Sequence, residues 1–72
     1  MTIPTNATAE QIIAELEADG FGWDISHTGH LRECRIWKWP IVVGRYRPHQ
    51  AEPLASTLLG ALQDMANGGK NV

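Results

Sequence analysis

Cysteine is nearly absent from this chain: Cys34 is the only one among 72 residues. An internal disulfide is thereby excluded, and a lone thiol suits a reducing compartment. Long apolar runs are missing too. The stretch Ile41 to Val43 falls far short of the roughly 20 residues that a membrane-spanning helix requires. The N-terminal residues show no basic region followed by an apolar one, so a soluble, cytoplasmic protein is expected. The Asn6-Ala7-Thr8 sequon then has no secretory route on which to act. Gly-rich phosphate loops, paired-carboxylate motifs and Ser-His-Asp signatures are all lacking. Gly20-Phe21-Gly22 precedes a strand pattern rather than a helix, which is the wrong context for a phosphate loop. Neither enzymatic activity nor a cofactor is expected.

Positive charge is absent from the first 29 residues, which hold Glu10, Glu15, Glu17, Asp19 and Asp24 and no Lys or Arg. Five of the six basic residues (Arg32, Arg35, Lys38, Arg45 and Arg47) and two of the three tryptophans (Trp37 and Trp39) fall instead between positions 32 and 47. Arginine and tryptophan on a strand-like segment can present a sheet to a protein, to a phosphate backbone or to bases. The net charge of -2 argues against a non-specific DNA coat protein, whose footprint is strong positive charge. With 43 % hydrophobic and 19 % charged residues, the chain reads as one globular domain. A domain of this size buries only about 60 % of its unfolded surface, so a homodimer is a reasonable expectation.

The apolar pattern predicts five elements. Residues 1–7 read as a flexible arm, 8–67 as a single α+β domain and 68–72 as a flexible tail. Ala9, Ile12, Ile13 and Leu16 recur at helical spacing, which places a first helix at 8–19 with Asn6 or Thr8 as its cap and Gly20 as its stop. The period then changes to two at Phe21, Trp23 and Ile25, the mark of a half-buried strand. A Thr28-Gly29 turn would set His27 opposite His30, Ile25 opposite Arg32, Trp23 opposite Cys34 and Phe21 opposite Ile36. Pro40 should break the second strand near Trp39, and an aromatic residue before proline suits a cis bond in a tight turn. The third strand then spans 41–47, with Ile36 opposite Val43, Trp37 opposite Val42, Arg35 opposite Gly44 and Cys34 opposite Arg45. One long bent strand through Pro40 is the alternative. Leu54, Leu58, Ala61, Leu62 and Met65 form the stripe of a second helix at 53–66, in which Gly60 implies close packing. The fold class is α+β, ordered α-β-β-β-α: a three-stranded antiparallel sheet with both helices on the face of Trp23 and Ile36.

This register sorts the basic segment by face. Arg35, Trp37, Val42 and Tyr46 point away from the helices and, with Trp39, form a candidate partner-binding patch of residue types enriched in interface cores. Arg32, Lys38, Arg45 and Arg47 point toward the helix side, where Glu15, Glu17 and Asp19 are available partners. Arg32, Arg45 and Arg47 are also a candidate nucleic-acid site. A one-residue slip would exchange Trp37 and Ile36 between the faces. His27, His30, Cys34 and His49 include zinc-ligand types but lack the Cys-x-x-Cys spacing of a knuckle, so no metal is expected. Cys34 lies mid-strand on the apolar face, where a thiol acts as a small hydrophobe rather than a nucleophile.

The order α-β-β-β-α resembles the layout of the double-stranded RNA-binding domain. At the start of its last helix that family carries phosphate-gripping lysines, whereas Gln50-Ala51-Glu52-Pro53-Leu54-Ala55-Ser56 contains none, so the family's RNA contact is not implied. In length and layout over the whole chain, the sequence is also similar to small single-domain proteins encoded by phages and prophages, among them anti-CRISPR inhibitors. That resemblance implies a non-catalytic inhibitor or adaptor that binds a host protein or nucleoprotein assembly. The function expected is therefore a protein-interaction module using the open sheet face, with a nucleic-acid-binding domain as the alternative and no role at a membrane.

Overall fold

The first helix is a consequence of its cap. In the computed structural model, which describes residues 6–68, α1 runs Ala9–Ala18. The Thr8 hydroxyl accepts from the Gln11 amide while the Gln11 side chain accepts from the Thr8 amide, so two otherwise orphaned donors are satisfied. Gly20, at φ +81°, ends the helix as expected, and Phe21 N–H donates to Leu16 O to turn the chain toward the sheet. Ile12 and Leu16 are fully buried. Much of the expected arm, 1–7, and of the tail, 68–72, lies outside the described residues. Within them, Ala7 already packs into the core.

Three antiparallel strands follow, β1 (Gly22–Thr28), β2 (Leu31–Lys38) and β3 (Ile41–Tyr46), in the spatial order β1-β2-β3. The β1–β2 turn is Gly29-His30 rather than Thr28-Gly29, because glycine at the first loop position, with φ +61°, suits a two-residue hairpin whose strands twist correctly. Trp23 therefore pairs with Ile36, Ile25 with Cys34 and His27 with Arg32. This register is two residues from the expected one, and a shift of two preserves the faces. Cys34 and Ile36 accordingly lie buried on the helix side, with Trp23 and Ile25 packed against them, while Trp37 faces outward.

The β2–β3 turn is Trp39-Pro40, with a cis peptide bond, and a separate third strand begins at Ile41. Trp37 pairs with Val42 as expected, but the ladder then shifts: Ile36 pairs with Gly44, Arg35 with Arg45 and Cys34 with Tyr46. Val43 is the extra residue of a β-bulge, which reverses the faces of everything that follows it. Tyr46 turns inward onto the second helix, and Arg45 and Arg47 turn outward, each the opposite of the sequence-based expectation.

The second helix, α2 (Leu54–Ala66), explains the bulge. A Cβ on Gly44 would lie 2.6 Å from Ala61 O and 3.0 Å from Met65 Cβ, so α2 rests directly on the β3 backbone there. A Cβ on Gly60 would run into the Tyr46 ring, the close packing that a helical glycine implied. Asp64 is fully buried and its Oδ2 accepts from the Arg45 amide at 2.8 Å. Leu58 and Ala61 complete the core with Ile12, Leu16, Cys34 and Ile36, and both helices pack on one face of the sheet. Leu54, expected on the buried stripe, is 39 % exposed, and Thr57 is buried instead. Among the described residues no helix is long and apolar enough to cross a membrane.

Replacing Gly44 with alanine is expected to cost about 2 kcal/mol through overpacking. Gly22→Ala, whose Cβ would meet Trp37 Cβ at an ordinary 3.8 Å, should cost far less. Urea unfolding of the two variants checks the contrast.

Candidate functional site

The outer sheet face carries no helix, and side chains of all three strands converge on it. Asp24 on β1 stands opposite Arg35 on β2. Its Oδ1 accepts from Arg35 Nε at 2.9 Å and its Oδ2 from Trp37 Nε1 at 2.6 Å. One carboxylate thus fixes both a guanidinium and an indole. Arg35 also lies 5.3 Å from the centre of the Trp37 ring, within cation–π range. The Asp24 hydrogen bond raises the pKa of Arg35 from its ordinary value, so the cation is permanent. Asp24 went unnoticed as a site residue in the sequence; its cross-strand position opposite Arg35 becomes visible only once the correct turn is known.

Beside this trio, Glu33 serves two arginines. Its Oε2 accepts from Arg47 Nε at 2.7 Å and lies 3.9 Å from Arg45 Nε. The Arg47 hydrogen bond holds the Glu33 carboxyl below the usual carboxylate range against a partial desolvation that would raise it. The bulge therefore brings Arg45 and Arg47 onto the same face as Arg35 and Trp37. The acidic partners of these arginines are sheet residues, not Glu15, Glu17 or Asp19 of α1.

Arg32 is not part of this surface. Its Nη1 donates to Glu52 O at 2.9 Å, its Nη2 to Gln50 O at 3.0 Å and its Nε to His27 Nε2 at 3.2 Å. It clamps the linker between β3 and α2, a segment also held by Arg32 N–H to Pro48 O and Gln50 N–H to His30 O. With Nη1 and Nη2 directed to carbonyls of the linker and Nε to the His27 ring, Arg32 braces its own chain on the helix side, apart from Arg45 and Arg47. Lys38 likewise turns to the helix side, donating to Asp19 O and lying over the Phe21 ring.

Tyr46, expected in the outer patch, is packed against the core, with its hydroxyl donating to Glu52 Oε1 at 3.2 Å. Burial together with the adjacent Glu52 raises its pKa from the ordinary phenol value. Val42 remains beside Trp37, its β2 partner. Trp39 is 83 % exposed at the tip of the hairpin, with its ring centre 6.0 Å from that of Trp37. Ile41, on the far side of the same turn, is 63 % exposed and was not singled out in the sequence. Its signal was its place directly after Trp39-Pro40, where a hairpin tip leaves a side chain uncovered. Behind Ile41 opens a groove of about 630 Å³ lined by Phe21, Lys38, Ile41, Val42, Val43 and Met65. The hairpin end thus presents apolar groups on both sides: indoles outside, and within a mostly apolar groove that Lys38 borders.

Burial pushes the Cys34 thiol up to about 11, with the charge of Asp24 adding to the effect, so the thiolate that nucleophilic chemistry needs is disfavoured. His30 and His49 stack with ring centres 6.4 Å apart, but among the described residues no group of three His, Cys, Asp or Glu side chains could hold a metal ion.

Asp24→Ala should release both of its donors. The Trp37 indole N–H resonance is expected to move upfield and the Arg35 Nε proton to exchange faster with solvent, both measured by NMR. Unchanged resonances would show that Asp24 does not organise the patch.

Comparison of the chain with protein-family models, with curated proteins and with solved structures gave no significant match.

Proposed function

We propose that this chain is a non-catalytic protein-interaction module that engages its partner through the outer sheet face and the β2–β3 hairpin end. The observation that carries this reading is Trp39, a large indole 83 % exposed on a tight turn, flanked by Trp37 outside and Ile41 within. A soluble domain gains nothing by holding such a group in water, and contiguous exposed apolar surface marks association sites. Tryptophan and arginine are the residue types most often dominant in binding energy. Asp24 holds Arg35 and Trp37 in a fixed arrangement, which reduces the ordering cost on association. The apolar groove behind Ile41 offers a second seat for a partner side chain. An inhibitor or adaptor of the phage type, acting in the cytoplasm on a host assembly, fits this arrangement.

A second reading, binding of nucleic acid, is favoured by one specific observation: the bulge gathers Arg35, Arg45 and Arg47 with Trp37 on one face. It ranks second because Asp24 and Glu33 already neutralise two of those three charges.

The variant Trp39→Ala is expected to leave folding stability within about 0.5 kcal/mol, since the side chain is exposed. It should weaken partner capture by roughly thirtyfold, the loss typical of an interface anchor. Affinity capture from the native host after nuclease treatment supplies the partner, and titration calorimetry of the wild type and variant supplies the ratio. Equal affinities for the two would overturn the reading. Nucleic-acid binding instead predicts a complex with single- or double-stranded oligonucleotides that weakens steeply with salt and is lost in Arg45→Ala/Arg47→Ala. Absence of any mobility shift at low salt would remove it.

A further inference from the structure

The two edges of the sheet are treated differently. On β3 the outward-pointing amide of Arg45 is taken by the buried Asp64 carboxylate, and α2 lies against Gly44. That edge is closed to another strand at its centre. On β1 the pattern is the reverse. Hydrogen bonds in an antiparallel pair alternate, and the Gly29-His30 turn makes Thr28 and Leu31 a bonded pair. Thr28, Ser26, Asp24 and Gly22 therefore direct their backbone groups to β2, while Trp23, Ile25 and His27 direct theirs outward. Among the described residues, no turn, loop or cap hydrogen bond reaches those three outward amides or carbonyls. Of the usual protections of an exposed edge β1 carries little: Gly22–Thr28 contains no Lys, no Arg and no Pro, and its one carboxylate, Asp24, is engaged by Arg35 and Trp37.

We propose that the β1 edge is a homodimer interface, at which two copies pair β1 against β1 in antiparallel fashion to form one six-stranded sheet. The sequence of β1 is self-complementary about Ile25. In the register centred there, Ile25 meets Ile25 of the second copy, Trp23 meets His27, Asp24 meets Ser26 and Gly22 meets Thr28, so all seven residues of the strand are paired. The pairs made by Trp23, Ile25 and His27 supply about six backbone hydrogen bonds. Each Asp24 carboxylate lies opposite a serine hydroxyl, with no like charges in contact. The neighbouring register centred on Asp24 pairs fewer residues and sets two carboxylates against each other, which disfavours it. A heterologous strand would not have this internal match, so the second copy is the favoured occupant. The hydrogen bonds of this interface come from the backbone of Trp23, Ile25 and His27, whereas the outer patch is built from side chains; Asp24 borders both. The dimer leaves the two Trp39 tips at opposite ends of the extended sheet, where they can engage a repetitive partner at two points.

The test is sedimentation equilibrium of the full chain with concentration-dependent amide exchange. The wild type should pass from 8.0 kDa to twice that mass as concentration rises. Over the same range the amides of Trp23, Ile25 and His27 should gain protection. Ser26→Asp sets a second carboxylate opposite each Asp24 and should weaken the dimer by about tenfold, whereas Ser26→Lys should strengthen it. Far-UV circular dichroism confirms that both variants fold. A protein that stays at 8.0 kDa at its solubility limit overturns the proposal. So does a dimer in which the three amides gain no protection, or one that Trp39→Ala dissociates and Ser26→Asp does not.

Discussion

The fold depends on one close approach, the seating of α2 on β3. Two glycines make it sterically feasible, Gly44 on the strand beneath Ala61 and Met65, and Gly60 on the helix above the Tyr46 ring. A buried carboxylate makes it polar as well as tight, because Asp64 satisfies an amide that the sheet leaves unpaired at Arg45. A buried donor without a partner is expensive, so the helix and the strand edge are each other's solution. The arrangement of the outer face follows from this seating. The strand bulges at Val43 to bring Gly44 under the helix, and the bulge then determines which side of the sheet each later residue occupies.

The outer face is organised as a set of charge-satisfied supports around an unsatisfied apolar tip. Asp24 and Glu33 are both acceptors for arginines, and neither network reaches the helices. Exposed ion pairs of this kind contribute little to stability. Their effect is geometric: they tie the arginine side chains to the sheet and leave Trp39, at the hairpin tip, as its most exposed large apolar group. The linker that Arg32 clamps lies on the helix side, away from that tip, so the clamp is part of the scaffold rather than of the contact surface.

Helices, strand count and layer order were legible in the sequence because each has a periodic signal and a marked end: Thr8 and Gly20 for α1, Pro40 for the second turn, Gly60 for helix packing. The first hairpin shows how an error can be harmless. Moving the turn from Thr28-Gly29 to Gly29-His30 changes every partner but no face, since the shift is even. The second hairpin shows the opposite. A single extra residue at Val43 inverted Tyr46, Arg45 and Arg47, and so moved one residue out of the expected partner patch and two into its plane. Its signal was Gly44, a glycine inside a strand, which often marks a bulge or a close backbone approach. Asp64 was hidden for a different reason: an acidic residue on an amphipathic helix reads as solvent-facing unless the unpaired amide that it serves is known.

Strand parity in β3 is set by its pairing with β2 rather than by residue count, because the bulge absorbs one residue between Trp37 and Tyr46. Conservative substitutions at Val42 or Val43 leave the bulge and the faces intact. Loss of Val43 would straighten the ladder yet keep its later pairs, Ile36 with Gly44, Arg35 with Arg45 and Cys34 with Tyr46, so Arg45 would stay outside and Tyr46 inside. A lineage descended from this chain can therefore exchange residues along the hairpin's outer surface to change partners, and can even lose the bulge residue, without turning the core side of the strand outward.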